Sequence, residues 1–146
     1  MKTILAPVDF SDCAQKVIET ATRLVSAFGS RLIILHVAAP EPEFVGYGPG
    51  PQTVRDSVAK EFKDEHRRIH ALSRELEACG LNATALVIQG YPVDKIIEEA
   101  ARQQADLIVM GSHGHGLLRN LLVGSVTEGV MRKAECPVLI VPFRST

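Results

Sequence analysis

Residues 106–125 read DLIVMGSHGHGLLRNLLVGS. Leu107 to Met110 is an unbroken apolar run, as expected of a strand covered on both faces in a parallel sheet. The chain then leaves through Gly111, Gly114 and Gly116 and returns at Gly124 and Ser125. Glycines lack Cβ, so their N–H groups can approach an anion closely. A helix starting directly after the loop adds free donors and the positive end of its dipole. The stretch therefore predicts a strand, a phosphate-cradling loop and a helix start. Between them, Leu117, Leu118, Leu121 and Leu122 have short helical spacing that would clip the excursion to the core and return Gly124 and Ser125 beside Gly111 and Gly114. Ser125 with Glu128 three positions on forms a capping box, so Ser125 is expected to cap the last helix.

Outward from this loop, strands and helices alternate. Thr3 to Val8 is a short strand-type run, and Ala14, Val17, Ile18, Ala21, Leu24, Val25 and Phe28 follow helical spacing up to a stop at Gly29. Arg31 to Val37 is a second strand. A proline- and glycine-rich stretch from Ala38 to Gln52 reads as an irregular surface loop. From about Val54 to Cys79 a long helix carries the stripe Val54, Val58, Phe62, Ile69, Leu72 and Leu76, closed by Gly80. Ala83 to Ile88 is a third strand. Pro92 suits the first position of a third helix, whose Ile96, Ile97, Ala100 and Ala101 face a core. A last helix begins near Val126, and Pro137 to Val141 is a fifth strand. This alternation is the mark of right-handed βαβ crossovers, and it predicts one doubly wound α/β domain over residues 1–146 with helices on both faces. In such folds ligands sit outside the carboxyl ends of the strands, where strand order reverses. With strand order 3-2-1-4-5 that place lies between Asp9 and Gly111.

Composition narrows the function. Sixteen basic residues against 17 acidic ones leave a net charge of -1, which offers no attraction to nucleic acid or an anionic membrane. Cys13, Cys79 and Cys136 are widely spaced without a CxxC pair, the usage of reduced core thiols in a cytoplasmic protein. The opening MKTILAPVDF meets acidic residues too early for a signal peptide, and no apolar run has membrane-spanning length.

The loop is not a Walker A sequence, since no GxxxxGK followed by Ser or Thr occurs. Nor is it the dinucleotide fingerprint, because Arg119 stands where the third glycine belongs and the loop follows the fourth strand. Its spacing is GxxGx9G(S/T), from Gly111 and Gly114 to Gly124 and Ser125. With KTILAPVDFSDCA at the start, LHV ending the second strand, DLIVMGSHGHG, and GSVTEGVMRKAECPVLIVP at the end, the chain resembles the ATP-binding branch of the universal stress proteins. The resemblance implies a Rossmann-like sheet of order 3-2-1-4-5, of the adenine nucleotide alpha hydrolase type. It also implies ATP, or ADP or AMP, bound with Mg in the crevice, and a cytoplasmic homodimer joined through the last strand.

By the same resemblance Gly111, Gly114, Gly124 and Ser125 approach ribose and phosphates, and Asp9 is the ribose or metal ligand. A carboxylate beside a triphosphate is repulsive unless it accepts from ribose hydroxyls or shares a cation. Val37 reads the adenine edge through its backbone, Pro7 and Val8 form an apolar wall, and Met110 and Val126 complete the pocket. His113 and His115 lie inside the cradle as donors to phosphate, with Arg119 of similar standing. His36 is expected to be satisfied locally within its strand. His66 and His70 are four apart on the long helix, but HRRIH lacks the glutamate of a metalloprotease motif. The leading reading is a stress-signalling protein governed by nucleotide occupancy. The alternatives are slow ATP hydrolysis or phosphotransfer at the same site, for which no general base announces itself, and a nucleotide-free dimeric adaptor. A response-regulator phosphoacceptor is excluded, because Gln89 and Gly90 follow the third strand and Pro142, Phe143 and Arg144 the fifth.

Overall fold

A computed structural model of the chain describes residues 1–40, 51–113 and 123–143. The elements run β1 (Thr3–Pro7), α1 (Asp12–Phe28), β2 (Arg31–Ala38), α2 (Gln52–Ala78), β3 (Ala83–Gln89), α3 (Pro92–Arg102), β4 (Leu107–Gly111), α4 (Ser125–Lys133) and β5 (Val138–Val141). All the strands pair in parallel in the order β3-β2-β1-β4-β5, as expected. Leu5 lies opposite Ile33 on one side and Ile108 on the other, so β1 is the central strand and strand order reverses beside it.

Side chains alternate across the sheet and build two cores. On one face Ile4, Ala6, Leu32, Ile34 and Val109 pack with Cys13, Val17, Ala21 and Val25 of α1 and Ile69 of α2. On the other, Leu5, Ile33, Leu35, Ile108 and Met110 pack with Ile96 of α3 and Val130 of α4. Gly29 ends α1 with φ 63°, a left-handed turn that costs glycine little. Pro92 opens α3 as its first residue.

The structure departs from the sequence reading at several places. Phe28 is exposed at the foot of α1, and Ala101 is exposed while Glu99 is buried beneath the Arg102 guanidinium, 2.7 Å away. The α2 stripe is buried only at Ile69, with Phe62, Leu72 and Leu76 half-buried and Val54 exposed. The helix has 27 residues, about 40 Å at 1.5 Å per residue, and the residues of its amino-terminal half are mostly exposed among the described residues. Of the three cysteines only Cys13 is a core thiol; Cys79 is exposed at the end of α2 and Cys136 is half-buried. No helix among the described residues is long and apolar enough to cross a membrane.

The end of the sheet away from the loops is tied by Asp106, whose Oδ2 accepts from the backbone N–H of Lys2 at 2.6 Å and of Thr3 at 2.9 Å. Those two amides hold its carboxyl below the usual carboxylate range. The stabilisation is present above the unfolded carboxylate pKa and is lost as pH falls through the depressed folded value. Thermal melts of Asp106→Asn should therefore show a modest loss at neutral pH that vanishes in strong acid, where wild type has protonated the same group. An undiminished difference at low pH would refute this tie.

Candidate nucleotide site

At the carboxyl end of β1 the chain passes Val8, Asp9 and Phe10 before α1 begins. Val8 donates to Leu35 O at 2.8 Å and is nearly buried, packed in the α1/α2 core. Val37, Met110 and Val126 belong to the opposite core, and Pro7 shares that face by alternation from Leu5. The expected wall of Pro7 and Val8 is thus divided: Pro7 lies on the Val37 face and Val8 on the other. Adjacent residues of an extended strand cannot line one surface.

Asp9 Oδ1 accepts from Ser11 N–H at 3.0 Å across a tight turn. The residue between them, Phe10, has φ 59°, a left-handed conformation that costs a bulky side chain about 1–3 kcal/mol. Ser11 sits at the N-cap of α1 but makes no side-chain cap bond, and its buried Oγ has no hydrogen-bond partner among the described residues. A buried hydroxyl left unpaired beside a carboxylate suits a polar ligand, because its desolvation is otherwise uncompensated. Among the described residues no group of three or more His, Cys, Asp or Glu is arranged to hold a metal. The donors present fit Mg2+, which typically takes one or two protein carboxylates and completes its shell with phosphate oxygens and water.

Across the crevice, Gly111 ends β4 against α1. A Cβ added there would lie 2.5 Å from Cys13 Sγ, so only glycine fits. Burial pushes the Cys13 thiol up, against the lowering effect of the His113 and Ser112 N–H groups directed at it. The return of the loop is as expected: Gly124 N–H donates to Ser112 O at 2.7 Å, and Thr127 Oγ1 donates to Gly111 O at 2.8 Å. The N-cap of α4 is Gly124, without a side-chain cap bond, and exposed Ser125 is the first helical residue. The capping box is not formed, since Glu128 pairs with Arg132 at 2.6 Å instead. Ser125 is left facing outward, at the positive end of the helix.

Sequence reading passed over Ser112, which organises this loop. It is buried, its N–H donates to Val141 O at 2.9 Å, and its Oγ accepts from Phe143 N–H at 3.1 Å. The same oxygen lies 2.8 Å from His113 Nδ1. When the Ser112 hydroxyl donates there, Nε2 of His113 carries the hydrogen and is a donor. The signal lay in the motif, where Ser112 stands between Gly111 and His113. Gly114, His115, Arg119 and the leucines from 117 to 122 lie outside the described residues.

His36 is not satisfied within its own strand: its Nδ1 lies 2.9 Å from Val8 O, just past the end of β1. Its Nε2 is 3.3 Å from Glu65 Oε1 of α2 but is not aligned for a hydrogen bond. The rings of His66 and His70 meet at 4.2 Å, and burial, then His66 and Arg74, lower the His70 pKa.

A doubly wound sheet with a glycine-edged crevice between β1 and β4 is the architecture of nucleotide- and cofactor-binding α/β proteins. Within that class, a profile of the Universal stress protein family matches residues 1–142, and the chain belongs to that family. It is 33% identical over 142 residues to a universal stress protein of Thermus aquaticus, covering 96% of this chain and 98% of the relative. The solved structure of MJ0577 superposes with a TM-score of 0.87 at 30% identity, covering 99% of this chain and 98% of that one. MJ0577 is a universal stress protein of Methanocaldococcus jannaschii. A universal stress protein solved in complex with cAMP gives a TM-score of 0.68 at 28% identity, with 96% of each chain covered.

Proposed function

We propose that this chain is an adenine-nucleotide-binding universal stress protein, holding ATP, or ADP or AMP, with Mg2+ in the crevice between Asp9 and Gly111. In this reading it works as a cytoplasmic homodimer whose signalling state follows nucleotide occupancy. The observation that carries it is the closure of the loop, with Gly124 N–H bonded to Ser112 O at 2.7 Å. That bond sets the free amides at the start of α4 beside the end of β4, opposite the Asp9 turn, and helix N-termini with glycine turns favour phosphate. The relative that binds cAMP supports an adenine nucleotide in particular. Val37, Met110 and Val126 offer the apolar lining a base requires. Asp9 and the Ser11 hydroxyl serve ribose or the metal; Gly111, Gly114, Gly124 and Ser125 serve the phosphates, with His113 and His115 as donors.

To test this, the purified protein is denatured and any released nucleotide identified by mass spectrometry, and ATP with Mg2+ is titrated by calorimetry. Asp9→Ala should weaken binding at least about tenfold, the scale of one charge-assisted contact. Unchanged affinity in that variant would remove Asp9 from the site, and no binding at millimolar ATP would end the nucleotide reading. ATP hydrolysis abolished by the same variant would instead favour an enzyme.

The dimer has separate support. Among the described residues β5 is an edge strand that pairs only with β4, and its Leu139 is exposed. An apolar edge is a liability that pairing across a two-fold axis removes. Sedimentation at micromolar concentration should give a dimer, and Leu139→Lys should shift it to monomer; a monomeric wild type would refute the arrangement.

A further inference from the structure

We infer that Phe10, held against His36 and Arg68, is a positioning residue for Asp9, so that helix α2 governs how that carboxylate meets the nucleotide. The inference rests on the nucleotide reading above and names what regulates the same site. Phe10 holds a left-handed backbone conformation, φ 59°, which a bulky residue keeps only where its surroundings impose it. Those surroundings are two flat groups. The His36 ring lies 4.5 Å away between centroids, tilted by 42°, and the Arg68 guanidinium of α2 lies over the Phe10 ring, 4.0 Å from its centre.

The residue before Asp9 is held by the same assembly. A carbonyl oxygen only accepts, so the 2.9 Å contact between His36 Nδ1 and Val8 O places the ring hydrogen on Nδ1. His36 thereby fixes the peptide entering Asp9, while its other nitrogen faces Glu65 of α2 at 3.3 Å. Val8 is thus fastened to β2, and Phe10 meets both β2 and α2, while the turn at Phe10 brings Ser11 N–H to Asp9 Oδ1 at 3.0 Å. Glu65 and Arg68 also line a groove of about 310 Å³ along α2, together with Ser57, Lys60, Glu61 and Asp64. Movement of α2 would reach Asp9 through the Phe10 ring under Arg68, with no intervening loop.

The test is a double-mutant cycle on ATP affinity, measured by calorimetry with Mg2+ alongside thermal melts. Phe10→Gly accepts the left-handed conformation without strain but removes both ring contacts. It should weaken binding about tenfold, and Asp9→Asn at least as much. The double variant should bind no worse than Asp9→Asn alone, because residues acting through one another are non-additive. Arg68→Met, a change to an exposed residue on a formed helix, should give about a threefold loss while the melting temperature stays close to wild type. Full additivity with Asp9→Asn, or unchanged affinity in both Phe10→Gly and Arg68→Met, would overturn the positioning role and leave the nucleotide site standing. Failure of wild type to bind ATP would defeat this inference together with the reading beneath it.

Discussion

Replacing Gly111 by alanine should destabilise the fold by about 1–3 kcal/mol, the usual penalty for overpacking a filled interior, and should weaken nucleotide binding in parallel. The added Cβ would sit 2.5 Å from Cys13 Sγ, 3.3 Å from Cys13 Cβ and 3.4 Å from His113 O. Cys13 cannot swing away easily: it is buried on α1, its Sγ directed at Val141 O 3.8 Å away. The strand end must move instead, carrying Ser112 and His113 away from the positions that receive Gly124. Cys13→Ala should restore most of the loss in the Gly111→Ala background, because the contacts that then remain, 3.3 Å to Cβ of residue 13 and 3.4 Å to His113 O, are relieved by a shift of a few tenths of an ångström. Urea denaturation of the two single variants and the double variant measures this. Simple addition of the two single effects would refute the packing account.

The second large effect is expected at Ile69. Among the apolar residues of α2 it alone is fully buried, at 0% exposure, so it pins a long helix to β2 and β3. Ile69→Ala should cost about 2–5 kcal/mol, the transfer and cavity terms of a deleted core side chain. The equivalent change at exposed Val54 should lie within about 0.5 kcal/mol of wild type. The sequence stripe treats these positions as equals, so the contrast isolates what burial contributes. Equal losses at the two sites would mean that the amino-terminal half of α2 is covered after all.

Nearly all of the layer order could be read from hydrophobic period, since alternation of buried strands with amphipathic helices admits few topologies. Gly111 and Gly124 were visible in the glycine spacing, but the structure requires glycine at 111 for its close approach to Cys13 and not for its backbone angles. The division of Pro7 from Val8 follows from strand alternation, which places adjacent residues on opposite faces. The place of Ser125 was not readable, because Ser and Gly are both good N-caps and the choice turned on where the returning loop bonds Ser112.

What the sequence determined by itself, then, is the strand and helix succession, for that is a property of neighbours along the chain. Only the tertiary structure decided which part of α2 is covered, because a helix of 27 residues lies on strands of at most eight, about 26 Å at 3.3 Å per residue. It alone also set Phe10 against a histidine 26 positions away and an arginine 58 positions away, whose numbers 10, 36 and 68 share no period. Periodicity reports the face a residue prefers to bury. The partner it meets there depends on crossover geometry and element length, which no local pattern encodes.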